Sequence, residues 1–150
     1  MVRAAFAVIL VTGAATVTAQ APPQGAAQQQ VVGTMSELMV QVIYPTSDAV
    51  FYISTRTPKT DQEWLELQAK TLTLAESANL LMMPGRARGR EQWMKDSRLM
   101  LDVGVAAFKA AKAKDVAALE ALSDQLYESC TTCHQHFRPN YGKPKPPPGY

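Results

Sequence analysis

The sequence predicts an all-α protein, folded as an antiparallel up-down-up-down four-helix bundle. Three observations lead there. Between residues 34 and 138, four stretches place apolar side chains at alternating steps of three and four, the period of a helix with one buried face. Capping residues and Pro-Gly breaks separate these stretches by short connections, which favour antiparallel neighbours. No stretch reads as a convincing strand.

The first helix is expected over about 34–55, where Met35, Met39, Val42, Ala49 and Ile53 share one face. Pro45 falls inside it. Because proline lacks a backbone donor and crowds the preceding turn, the helix should kink or restart there, with Ser47 and Asp48 as caps of the second half. The second helix opens on TDQE, where Thr60 and Glu63 have capping-box spacing, and stops at Pro84-Gly85. Trp64, Leu67, Thr71, Leu74, Ala78 and Leu81 form its bundle seam. The third helix is expected over about 89–114, with Met94, Leu101, Gly104, Phe108 and Ala111 on its stripe. Lys109, Lys112 and Lys114 suit the negative end of its dipole. The fourth starts near Asp115 and ends before Pro139, with Val116, Leu119, Ser123, Leu126, Cys130, Cys133 and Phe137 on its inward face.

The ends are of a different kind. MVRAAFAVILVTGAATVTAQA carries Arg3, an apolar run from Ala4 to Val11, then small residues, the layout of a secretory signal peptide. Cleavage after Ala19 is expected. The run is shorter than the ~20 residues of a membrane span, so an uncleaved anchor is the weaker reading. Residues 20–32 read as a flexible lead-in, 33–139 as the helical domain, and 140–150 as an extended Pro-rich tail. The chain holds 15 Lys+Arg and 13 Asp+Glu, and the leader would take Arg3 with it. This near-neutral balance argues against nucleic acid as a partner, since a concentrated basic face is needed for that. Arg86, Arg88 and Arg90 in GRARGREQ read as a solvated loop.

Chemistry concentrates in SCTTCHQHFRPNYG, residues 129–142, which contains both cysteines and both histidines. An exported chain would ordinarily pair two cysteines, but a bridge across C-x-x-C closes a very short loop and restricts the unfolded chain little. Zinc would need four converging ligands, and Cys130, Cys133, His134 and His136 are too compressed on one helix to converge. A thioredoxin-like dithiol sits at a helix N-terminus after a strand, whereas this motif lies near a helix C-terminus in an all-α chain. It is kept as the enzyme-class rival. CTTCH matches C-x-x-C-H, the c-type haem attachment motif. Cys130 and Cys133 would form thioethers to the porphyrin, and His134 would ligate the iron. His136 is read as a surface residue.

On these residues the chain resembles the class II c-type cytochromes, which comprise cytochrome c′ and its low-spin, six-coordinate relatives. The resemblance covers roughly 34–139, and its most specific element is CTTCHQHFR: C-x-x-C-H, two variable residues, an aromatic and Arg. It implies an exported four-helix bundle with one covalent haem c near the C-terminus. It further implies Cys130 and Cys133 as attachment residues, His134 as proximal ligand, and Arg138 as a basic residue flanking the proximal side. The family's distal residue comes from the first helix. In MSELMVQV the resemblance places Met39 there, with Met35 as second choice. Met35 stands where many members carry a basic residue that contacts a haem propionate, a departure from the pattern.

Met39 and His134 as the metal ligands imply an electron carrier rather than an enzyme, cycling Fe(II) and Fe(III) with periplasmic redox proteins as partners and a homodimer as one possible assembly. Two alternatives stand: a five-coordinate c′-type binder of nitric oxide or carbon monoxide, and the periplasmic thiol oxidoreductase.

Overall fold

The computed structural model describes residues 29–140, and all regular structure among them is helical. The expected signal peptide at 1–19, most of the lead-in, and all but the first residue of the expected tail at 140–150 lie outside the described residues. Four helices make up the domain. α1 spans residues 35–51 and has three parts: a first turn Met35–Glu37, a π-helical segment Leu38–Ile43, and an α-helical segment Tyr44–Phe51. α2 is Asp61–Met82 and α3 is Arg90–Ala113. α4 spans residues 116–137, as Val116–Ala121 and Ser123–Phe137 with a break at Leu122. No helix among the described residues is long and apolar enough to cross a membrane.

Local chemistry explains the ends. The expected capping box is present at α2, where the Thr60 hydroxyl accepts from the Glu63 N–H and the Glu63 carboxylate accepts from the Thr60 N–H. The same Thr-x-x-Glu spacing at Thr34 and Glu37 builds a second box at α1. Backbone and hydroxyl donors hold both glutamates below the ordinary carboxyl value. α3 begins after Gly89, whose φ of +53° is the left-handed region where glycine has no steric penalty. It ends at Lys114, also left-handed, whose ammonium binds Asp61 at 2.5 Å. Asp115 caps α4 by accepting from the Ala118 N–H at 2.9 Å.

Pro45 neither breaks nor caps α1. The turn before it widens into the π-helical segment, in which the Tyr44 N–H donates to the Met39 carbonyl five residues back. This leaves room for the proline ring, which in a regular helix would clash with the carbonyl four residues earlier. The expected capping by Ser47 and Asp48 is replaced by back-bonding: Ser47 Oγ donates to the Tyr44 carbonyl at 2.8 Å, and Thr46 Oγ1 to the Val42 carbonyl at 2.6 Å. α1 also ends earlier than expected, at Phe51, in a series of turns.

The helices pack in a ring: α1 on α2, α2 on α3, α3 on α4, and α4 back on α1. All six expected seam residues of α2 are buried. In α4 the expected stripe faces inward, with Leu119 and Leu126 fully buried and the two cysteines half-buried. The stripe of α3 is rotated from the expected one. Its centre is Trp93, Asp96, Met100, Val103 and Ala107, while Met94, Leu101 and Phe108 flank it. The reason is a close helix crossing: a Cβ on Gly104 would meet the Ala75 backbone at 2.8 Å. Only small side chains fit between α2 and α3 there, so bulky residues are pushed to the sides. Each fully buried leucine contributes about 1.5–3 kcal/mol to holding these faces together.

Candidate functional site

At one end of α1 a cavity of about 440 Å³ opens between three helices and the loop joining α2 to α3. α1 contributes Met35, Ser36, Met39 and Val40; α3 contributes Trp93; α4 contributes Cys133, His134, Phe137 and its cap Arg138; the loop contributes Arg88. A smaller void of about 50 Å³ shares Met39, Cys133 and His134 as walls and adds Cys130 and Asp96. The fold thus brings Met39, Cys130, Cys133 and His134 to one place, from opposite ends of the chain. Met35 lies on the same cavity. Trp93 stiffens one wall, because its Nε1 donates to the Leu81 carbonyl at 2.7 Å and its ring meets Phe137 edge-on at 4.9 Å.

The electrostatics are specific. Burial lowers the pKa of His134, and the Arg138 charge adds to the effect. This favours the neutral imidazole, the form that offers a lone pair to a metal. Burial pushes the Cys130 thiol up. Cys133 is pushed up to about 11 by burial first, then by the charges of Asp96 and Cys130. Both are free thiols. Among the described residues no group of three or more His, Cys, Asp or Glu is placed to hold a metal ion.

Two residues outside the sequence expectations bear on the site. Asp96 is 2% exposed. Its carboxylate accepts from Gln92 Nε2 at 2.8 Å and pairs with His136 Nδ1 at 2.7 Å. His136 is exposed, as expected, with 44% of its side chain accessible, and it also anchors the last turn of α4 to α3. Asp96 lies three residues after Trp93 and four before Met100, so an acid on the apolar stripe was the signal. The rotated register of α3 hid it. The second is Arg88, exposed in the expected solvated loop and also on the cavity wall. Its neighbour Arg86 has Nε and Nη1 enclosed without hydrogen-bond partners.

The cavity is of a size to take a small molecule. Its volume lies within the roughly 300–1,000 Å³ of small-molecule sites. Its walls supply one thiol, an imidazole and two thioethers, and its charged side chains are Arg88 and Arg138, while the adjoining small void adds the Cys130 thiol and the Asp96 carboxylate. Another depression of about 470 Å³, at the far end of α1, is lined by mixed charges such as Arg56, Lys59, Glu63 and Glu66 and has no thiol or imidazole.

Comparison with protein-family models, curated proteins and solved structures found no match to this chain.

Proposed function

We propose that this chain is an exported monohaem c-type cytochrome that carries single electrons, of the class II type, with its four helices antiparallel in up-down-up-down order. The observation that carries the reading is the meeting of Met39 with Cys133 and His134 on one cavity wall system. Cys130 and Cys133 would hold the haem covalently, and His134 and Met39 would hold its iron. When bound, the haem supplies an iron that exchanges one electron, and Met/His ligation raises its potential. The chain's own part is to keep His134 neutral, to present Met39 from the π-helical segment, and to limit water with Trp93 and Phe137. Holding both ligands in place leaves little rearrangement between oxidation states, and no substrate-turnover role is assigned. Partners would be periplasmic redox proteins.

The raised thiols weigh against the oxidoreductase reading, since attack in thiol exchange needs thiolate. The test is a pyridine haemochrome assay on protein exported with its own leader, followed by visible spectra of wild type and Met39→Ala. A haem c signature, with a low-spin spectrum that becomes high-spin in the variant, is expected. A colourless protein with two titratable thiols would overturn the haem assignment. A high-spin wild type that binds carbon monoxide rapidly would move the chain to the gas-binding alternative.

A further inference from the structure

Arg88 and Arg138 are the charged side chains on the wall of the 440 Å³ cavity, and no acid lines it. The nearby acids are engaged elsewhere. Glu37 on α1 accepts from Thr34, Glu91 pairs with Lys95, and Asp96 is bound by Gln92 and His136. Arg88 is an exposed side chain of the α2–α3 loop that also lines the cavity. The Arg88 guanidinium on the wall of this largely apolar space suits a carboxylate carried by an apolar ligand, because guanidinium matches carboxylate in a two-bond fork. α1 offers only Met35, Ser36, Met39 and Val40 to the cavity, none of them basic.

We infer that Arg88 binds a carboxylate of the haem, so that the α2–α3 loop supplies a cationic contact that α1 does not. This rests on the haem reading above. A guanidinium beside a carboxylate lowers the carboxylate pKa by about 1–3 units. Arg88 therefore keeps that haem carboxylate ionised to lower pH, and the loop becomes part of the site rather than a solvated connection.

The experiment uses holoprotein whose haem content has first been established by pyridine haemochrome. Reduction potential is then followed against pH for wild type, Arg88→Gln, Arg88→Lys and Arg90→Gln, Arg90 being absent from the cavity wall. The carboxylate-linked step of Arg88→Gln is expected about 1–3 pH units above that of wild type. Arg88→Lys should lie between them, and Arg90→Gln should superimpose on wild type. An Arg88→Gln profile identical to wild type overturns the inference while leaving the haem reading intact. So does an equal shift in Arg90→Gln, which would be a general charge effect. Wild-type protein without haem overturns the haem reading and this inference together.

Discussion

Between α2 and α3 the backbones approach so closely that a single added methyl on Gly104 would lie 2.8 Å from Ala75 Cα. Between α1 and α4, by contrast, Met39 faces Cys133 and His134 across a cavity of about 440 Å³. The two regions share one ring of helices but have different residues at the contact. Glycine and alanine let ridges interlock, and the core closes to crystal-like density. Methionine, cysteine and histidine hold the other walls apart, and α1 is π-helical over the stretch that presents Met39. Such segments recur at functional sites. The close seam leaves no space for a larger side chain, and the open seam has room for a ligand.

Substitutions should separate the two regions. Gly104→Leu strikes the close seam, where the Ala75 backbone cannot yield. A loss of about 3 kcal/mol or more is expected from urea unfolding, and an unchanged midpoint would contradict the tight crossing. Asp96→Ala comes next. It leaves Gln92 and His136 without their buried acceptor and frees the last turn of α4, for an expected cost of about 1–3 kcal/mol. Amide exchange should quicken at residues 134–137, while the middle of α2 stays protected. Cys133→Ala in haem-free protein should cost less than about 1 kcal/mol, since a side chain on a cavity wall lacks packing partners on one side. A cost as large as that of Gly104→Leu would mean that the open seam is packed after all.

The smallest effect is expected at the exposed Asp61–Lys114 pair. Lys114 lowers the Asp61 pKa below its ordinary value of 3.8, first by hydrogen bond and then by charge. Asp61 thus binds its proton less readily folded than unfolded. Its contribution is present above pH 3.8 and fades as pH falls through the lower folded value. Acid unfolding of Lys114→Gln should differ from wild type above that window and converge with it below.

Much of the architecture was legible in residue spacing. The α2 seam, the α4 stripe with its two cysteines, and the Thr60–Glu63 cap follow from local periodicity and capping chemistry. The register of α3 did not, because Met94, Leu101 and Phe108 look like a core stripe until Gly104 meets Ala75. That misreading concealed Asp96, and with it the bond that ties the exposed His136 to α3. The fate of Pro45 was equally hidden, since widening, kinking and breaking all relieve the same clash, and packing selects among them.

By itself, then, the sequence determined four helices, most of their ends, and a C-x-x-C-H motif within the last of them, because caps, period and motif spacing act within a few residues. Only the tertiary structure decided that Met39, Cys133, His134 and Arg88 share a cavity and that Asp96 holds His136. Those contacts join residues from different helices, and their distances depend on how closely two backbones pack elsewhere in the bundle.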